Sequence, residues 1–98
     1  MKFEATGGRL PAIDLKKTGR NIARMRKEAD ISVRELQVMF GFTSPQAIYN
    51  WQNGISLPSV DNFIVLAAIL GETIDEILVL EGEDSEDEDP VIYPLMLS

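Results

Sequence analysis

The sequence predicts an all-α fold, a compact bundle of five short helices followed by an acidic C-terminal tail. Three observations favour this fold. Apolar residues recur three or four positions apart between residues 18 and 80, with no strand-like alternation. Serine or threonine stands just before most of these segments, where a helix N-cap is expected. Glycine or an Asn-Gly pair follows several of them, as at helix ends.

The first two helices are predicted from this pattern. The first covers residues 18–29, with Thr18 as its cap, and Asp30 suits the left-handed conformation that ends a helix. Its inner face would carry Ile22, Met25 and Ala29. The second covers Val33–Phe40, from the capping Ser32 to a terminating Gly41. Its inner face would carry Leu36, Met39 and Phe40.

The third helix is the segment SPQAIYNWQNG, residues 44–54, which carries no formal charge. We predict Ser44 as its N-cap and Pro45 as its first helical residue, where the missing N–H costs nothing. Ile48 and Trp51 form the apolar side. The outward positions are therefore Pro45, Gln46, Tyr49 and Asn50.

The fourth and fifth helices are predicted over residues 60–70, capped by Ser59, and residues 73–80. The fifth would bury Ile74, Ile77 and Leu78. No charge occurs between Asp61 and Glu72, so the fourth helix is apolar nearly all round, which predicts burial on a second side. We expect this side to form a homodimer interface through Val65, Ala68 and Ile69, with the apolar terminus at residues 91–97 as a second cover.

Charge is distributed unevenly along the chain. The net charge is −7, yet residues 1–80 hold nine basic and nine acidic residues, and residues 81–89 add seven acids and no base. All the basic residues lie at or before Arg34. The acidic run is typical of a solvated tail. We accordingly divide the chain into an N-terminal arm (1–17), a helical domain (18–80) and an acidic, then apolar, tail (81–98).

Several classes of function are disfavoured by composition. The chain has neither cysteine nor histidine, which removes thiolate chemistry, the commonest general base and the usual zinc ligands. The acidic run lacks the glycine and distal glutamate of a calcium loop. We therefore expect no enzyme activity, no cofactor and no metal. The longest apolar run, residues 63–70, is too short to span a membrane, so we expect a cytoplasmic protein.

The second helix, the glycine corner and the third helix form a helix-turn-helix pattern. Further residues recur at fixed spacings over residues 18–80: Arg26, Ser32, Leu36, Gly41, Ile48, Trp51, Asn53-Gly54, Pro58-Ser59, Leu66-Ala67, Leu70-Gly71 and the run from Ile74 to Leu78. The order and spacing of these residues resemble the Cro and lambda-repressor-like (XRE) family of bacterial and phage regulators. The resemblance implies a lambda-repressor-like five-helix bundle and a transcriptional regulator, often a dimeric repressor, whose third helix enters the major groove of double-stranded DNA.

The resemblance assigns roles to residues at the matching positions. Amide side chains can bond adenine bidentately, so Gln46 and Asn50 are expected to read bases, with Pro45 and Tyr49 beside them. Phosphates would be contacted from the helix starts, by Lys16, Lys17, Thr18, Arg20, Arg34 and Ser44.

Four positions depart from the family pattern. The turn between Gly41 and Ile48 is one residue longer than in the best-known phage members. Gln37 replaces a small residue and needs a hydrogen-bond partner or an outward orientation. Gln52 replaces a glutamate that often pairs with the arginine matching Arg26, so a neutral acceptor is expected there. Val33 replaces a phosphate-contacting glutamine.

A second reading remains open alongside the DNA-binding regulator. It is a protein-interaction module, such as an antitoxin-like partner, that binds another protein through the C-terminal tail. In this second reading, the acidic tail competes with DNA for the basic surface of the chain.

Overall fold

The computed structural model describes residues 12–82 of the 98-residue chain. These residues belong to two units, Ile13–Val79 and a second unit of which Ala12 and residues 80–82 are described. In the second unit the Glu81 amide donates to the Ala12 carbonyl oxygen at 2.7 Å. The arm before Ala12, the acidic run beyond Gly82 and the apolar terminus lie outside the described residues.

Unit Ile13–Val79 contains five helices, which confirms the all-α prediction for the described residues. They are α1 (Leu15–Glu28), α2 (Val33–Phe40), α3 (Gln46–Gln52), α4 (Val60–Leu70) and α5 (Ile74–Ile77). All five contribute to one buried apolar core: Ile22, Met25, Leu36, Ile48, Trp51, Phe63, Leu66, Ala67, Leu70 and Ile77. Burying a large apolar side chain stabilises a fold by about 1.5–3 kcal/mol, so this shared core holds the short helices together.

Helix α1 begins one turn earlier than predicted. Its N-cap is Asp14, whose carboxylate accepts a hydrogen bond from the Lys17 amide at 3.0 Å. The predicted start at Thr18 is wrong, because Thr18 is fully buried and its hydroxyl binds the backbone of Val79. The predicted boundary between arm and domain therefore lies inside α1.

The other end of α1 also departs from the prediction. The helix ends at Glu28, so Ala29 is an exposed C-cap residue and the prediction that it faces inward is wrong. Asp30 has φ 61°, which confirms the predicted left-handed helix end.

Helix α2 has the predicted bounds, and a capping box formed by two reciprocal hydrogen bonds caps its N-terminus. Ser32 Oγ accepts from the Glu35 amide at 2.9 Å, and the Glu35 carboxylate accepts from the Ser32 amide at 2.8 Å. Leu36 is fully buried, and Val33 and Phe40 pack against the core. Met39 is 55% exposed, so its predicted inward orientation is wrong. The side of this two-turn helix that faces the core therefore includes Val33 in place of Met39.

Helix α5 is shorter than predicted, because its C-terminal neighbour is held in extended backbone. The Val79 amide donates to Thr18 Oγ1 at 3.0 Å, and the Val79 carbonyl accepts from the Asp14 amide at 2.7 Å. These bonds to the start of α1 prevent residues 78–80 from continuing the helix.

A second capping box closes the start of α5. The Thr73 amide donates to the Glu76 carboxylate at 2.7 Å, and this bond holds the pKa of Glu76 below its usual value. A hydrogen bond to Glu76 raises the pKa of the neighbouring Glu72. Both carboxyls lie at the surface, so they mark how α5 is capped rather than a functional site.

Helix α4 has the predicted bounds, and its inner face buries Phe63, Leu66, Ala67 and Leu70. Its N-cap Ser59 accepts from the Asn62 amide at 3.3 Å, and Gly71 ends it with φ 72°. The outer side is apolar as well. Among the residues that the structure describes, no helix is long and apolar enough to cross a membrane.

Candidate nucleic-acid interface

The corner between α2 and α3 is a hydrogen-bonded turn. Gly41 adopts φ 72°, a left-handed conformation that glycine reaches without strain. The Phe42 amide then donates to the Gln37 carbonyl at 3.1 Å, and Gln37 Nε2 donates to the Phe42 carbonyl at 3.2 Å. Gln37 thus finds the partner that its position required, and it fixes the turn through its side chain and its backbone.

Helix α3 starts at Gln46, one residue later than predicted. Pro45 is the N-cap residue, and the Ser44 hydroxyl lies outside the helix, where it accepts from the Gln46 amide at 3.3 Å. The backbone of Pro45 lies at φ −84° and ψ 5°, outside the extended conformation that is usual for an N-cap residue. Its side chain makes no capping hydrogen bond. This seven-residue helix therefore depends on tertiary packing rather than on its own start.

An aromatic cluster fixes the inner face of α3 to the turn. Trp51 is 4% exposed, and its ring lies edge-on to Phe40 and Phe42 at centroid distances of 5.5 and 5.9 Å. Phe40 and Phe42 stack on each other at 5.0 Å. Ile48 is fully buried one turn before Trp51. The predicted assignment of Ile48 and Trp51 to the core is confirmed.

Two glycines let the C-terminal end of α3 approach α1 closely, a feature that the sequence analysis missed. A Cβ at Gly19 would lie 2.5 Å from the Gln52 carbonyl oxygen and closer still to that of Trp51. A Cβ at Gly54, which has φ +73°, would lie 2.8 Å from Lys16 Cα. Backbone contact between α1 and the end of α3 is therefore possible only with glycine at both positions. Glycine inside a predicted helix was the available signal.

A polar contact joins the same two helices. Arg26 is only 9% exposed, and its Nε donates to Gln52 Oε1 at 2.8 Å, while its Nη1 donates to the Ile31 carbonyl at 2.9 Å. The expected charge-to-neutral bond between Arg26 and Gln52 is confirmed. A buried guanidinium needs such acceptors, so this contact aligns α3 with α1.

The outer face of α3 carries the residues predicted to meet DNA bases. Gln46 is exposed, Tyr49 is 43% exposed, and Pro45 and Asn50 are half-buried. Gln46 Nε2 donates to Asn50 Oδ1 at 2.9 Å, so the two amides form one linked group. None of the four residues carries a charge. The face offers hydrogen-bond donors and acceptors on a helix whose other side is fixed.

The basic residues predicted to meet phosphates lie on α1 and α2 rather than on α3. Lys16 is exposed beside the end of α3, where its Nζ donates to the Asn53 carbonyl at 3.3 Å. Arg20 and Arg34 are exposed on α1 and on the first turn of α2, and Lys17 is half-buried. Arg20 and Asn53 also line an open groove of about 590 Å³ between α1 and the end of α3.

Thr18 does not belong to this set. It is 0% exposed, and its hydroxyl accepts from Val79, so the prediction that Thr18 contacts phosphate is wrong. The hydroxyl of Ser44, by contrast, is exposed beside the start of α3.

The residues predicted to form a dimer interface differ in exposure. On α4, Val65 is 45% exposed and Ala68 is exposed, whereas Ile69 is half-buried against the core of its own chain. Val60 and Ile64, at 74% and 54%, extend the exposed apolar surface. In the part of the chain that the structure describes, no cluster of acidic side chains could hold a metal ion.

Comparison with known proteins agrees with this geometry. The model of the helix-turn-helix family HTH_3 matches residues 22–77, which run from the middle of α1 to the end of α5. No curated protein and no solved structure matches the chain.

Proposed function

The chain belongs to the Cro/C1-type helix-turn-helix (XRE) family, and on that premise we propose that it is a cytoplasmic, sequence-specific transcriptional repressor that reads the DNA major groove with α3. The observation that carries this proposal is the contrast between the two sides of α3. The inner side is fixed by Trp51, Gly19 and Arg26, while the outer side presents uncharged polar groups to solvent.

In this proposal, residues on the outer face of α3 contact the bases. Glutamine and asparagine amides match the donor and acceptor pattern of adenine, and apolar groups contact the thymine methyl. Gln46 and Asn50 therefore read base edges, Tyr49 reaches a thymine methyl or a phosphate, and Pro45 packs beside the groove wall.

Phosphate contacts fix the position of the domain on the duplex without reading sequence. The candidates are exposed or half-exposed groups around α3: Lys16, Lys17, Arg20, Arg34 and Ser44. Four cations are few for a DNA-binding protein. The salt dependence should consequently be shallow, with a slope of log affinity against log salt of about −4 or less in magnitude.

The proposal is tested by selecting bound duplexes from a random pool and measuring the affinity of variants. Gln46→Ala and Asn50→Ala should each weaken binding to the selected duplex by roughly 5- to 150-fold and change binding to random DNA little. The control is Asp75→Ala, an exposed position on α5, which should change neither affinity. Equal losses on both duplexes would contradict base reading, and failure to select any sequence would contradict the proposed function.

We further propose a homodimer that forms through the exposed side of α4. Helix-turn-helix domains commonly bind two half-sites as two-fold dimers, and one seven-residue helix offers few base contacts. Val60, Ile64, Val65 and Ala68 form an exposed apolar surface, with Asp61 beside it in the first turn, that a second copy of the same surface would cover. Ile69 lies at its edge.

The dimer is tested by sedimentation of the double variant Ile64→Lys and Val65→Lys. Both side chains are exposed, so the variant should stay folded, become monomeric and bind a palindromic duplex more weakly. Asp75→Lys is the charge-matched control and should remain dimeric. A wild-type protein that is monomeric at high concentration would exclude this interface.

A further inference from the structure

We propose that Gln46 and Asn50 act as a single recognition unit, in which Asn50 orients the Gln46 amide so that Gln46 accepts adenine and rejects guanine. The inference rests on the proposed function, since it requires α3 to lie in the major groove. The observation that points to it is the hydrogen bond from Gln46 Nε2 to Asn50 Oδ1, 2.9 Å long.

The two residues differ in how firmly they are held. They lie four positions apart, on the same side of α3, where such amide pairs form. Gln46 is exposed at the first position of the helix. Asn50 is half-buried, and its backbone carbonyl oxygen accepts from the Ile55 amide at 2.9 Å, which holds the backbone at position 50. Asn50 is thus the less exposed partner on the better-held backbone, and Gln46 is the partner that is oriented.

The hydrogen bond determines which groups of Gln46 remain for a base. A glutamine amide has two N–H donors and one acceptor oxygen. When the hydrogen anti to Oε1 is the one given to Asn50, Gln46 keeps its other N–H and Oε1 side by side. The major-groove edge of adenine presents an acceptor at N7 and a donor at N6, so both remaining groups are satisfied.

Guanine does not fit the same arrangement. Its major-groove edge presents two acceptors, N7 and O6, so Oε1 of Gln46 would face O6 with no hydrogen between them. Bonding guanine would require the Gln46 amide to rotate and break its bond to Asn50. The terminal torsion of glutamine is broad and roughly two-fold, so an amide without this partner can rotate freely.

Substitutions at position 50 separate this role from ordinary base contact. Asn50→Ala removes the orienting acceptor. Asn50→Asp keeps an acceptor at the same place and cannot donate, so it preserves the Gln46 orientation while adding a negative charge. The prediction is that discrimination survives in the aspartate variant and is lost in the alanine variant, although both bind DNA more weakly.

The experiment uses the full chain and the duplex selected by the wild type. The tested position is the adenine whose preference Gln46→Ala abolishes, and a second duplex carries guanine there. The wild type should prefer adenine by roughly 5- to 150-fold. Asn50→Asp should keep that ratio, Asn50→Ala should bring it close to one, and the Asp75→Ala control should leave it unchanged. Circular dichroism confirms that each variant is folded.

Each remaining outcome is decisive. The inference would be overturned if Asn50→Ala kept the wild-type preference for adenine over guanine, or if Asn50→Asp lost it. Either result would leave the proposed function intact. If the wild type prefers no sequence at all, the proposed function fails and the inference fails with it.

Nuclear magnetic resonance of the free protein gives a readout independent of DNA. One Gln46 Nε2 proton should exchange with water more slowly than the other, and this difference should persist in Asn50→Asp and vanish in Asn50→Ala. Equal exchange in the wild type would contradict the pairing.

Discussion

Helices α3 and α4 both have few charges, and they differ in what they expose. Helix α3 has no charged residue, and its outer face presents Gln46, Tyr49 and Asn50. Helix α4 has one charge, Asp61, and its outer face presents Val60, Ile64 and Val65. A helix surface with little charge can therefore serve two different purposes. On α3 it leaves amides free for a polar groove, and on α4 it leaves an apolar surface suited to a protein partner.

The two helices also differ in what stabilises them. Helix α4 has eleven residues, a serine N-cap and a left-handed glycine at its end. Helix α3 has seven residues and no side-chain cap from its N-cap residue, so its position depends on Trp51, Gly19 and Gln52. Substitutions on its inner side should consequently affect stability, and those on its outer side should affect binding.

The largest effect is expected at Trp51. Trp51→Ala should lower the free energy of unfolding by about 3–5 kcal/mol, because it truncates a buried ring that contacts Phe40 and Phe42. Chemical denaturation measures the loss. Tyr49→Ala, an aromatic truncation on the outer side of the same helix, should cost under about 1 kcal/mol. Similar losses in the two variants would contradict the two-sided account of α3.

A smaller but more specific effect is expected at Gly19. Replacing glycine by alanine inside a helix usually stabilises it by about 0.8–1.0 kcal/mol. Here Gly19→Ala should destabilise the protein by about 1–3 kcal/mol, because the added Cβ overlaps the carbonyl oxygens of Trp51 and Gln52. Thermal unfolding shows whether the Gly19→Ala variant is less or more stable than the wild type.

The control for this variant lies at the end of α4. Gly71→Ala meets no atom within 4 Å, so only its positive φ makes it unfavourable. It should leave the DNA affinity of the folded protein unchanged, whereas Gly19→Ala should weaken that affinity by displacing α3. A stabilised Gly19→Ala variant would show that α1 and α3 are not in backbone contact.

Loss of the Arg26 partner should have an intermediate effect. Gln52→Ala leaves the buried guanidinium without its acceptor on α3, at a cost of about 1–3 kcal/mol. Gln52→Glu restores an acceptor with charge and should be at least as stable as the wild type at neutral pH. If urea denaturation shows Gln52→Ala to be as stable as the wild type, the contact does not hold α3.

The smallest effects are expected at the helix starts, and they should differ between the two helices. Ser59→Ala removes the N-cap of α4 and should cost about 1 kcal/mol. Ser44→Ala removes a hydrogen bond from a residue that lies outside α3 and is not its N-cap, and should cost only a few tenths of a kcal/mol. A larger loss at Ser44 would mean that α3 depends on its own start, contrary to the comparison.

How far the sequence predicted these features depends on whether their causes are local. The bounds of α2 and α4 were predicted because Ser32, Gly41, Ser59 and Gly71 are local start and stop signals. The end of α5 was wrong because Val79 binds Thr18 across 61 residues, and no local pattern reveals such a contact. The start of α1 was wrong because Thr18 was taken as the N-cap in place of Asp14, whose cap to Lys17 is local.

In the candidate interface, too, the features with local causes were predicted and those that depend on long-range packing were not. Helical periodicity predicted which α3 residues face outward, and family resemblance predicted the bond between Arg26 and Gln52. The backbone approach at Gly19 and the burial of Thr18 follow from how α1 meets α3 and Val79, so they required the structure.

The most direct test of the central claim is a crystal structure of the protein bound to its selected duplex. The account predicts α3 in the major groove, with the Gln46 amide within hydrogen-bond distance of a base edge, about 2.7–3.2 Å, and Trp51 still buried. A complex in which another surface contacts the DNA, and the Gln46 and Asn50 side chains remain in solvent, would contradict it.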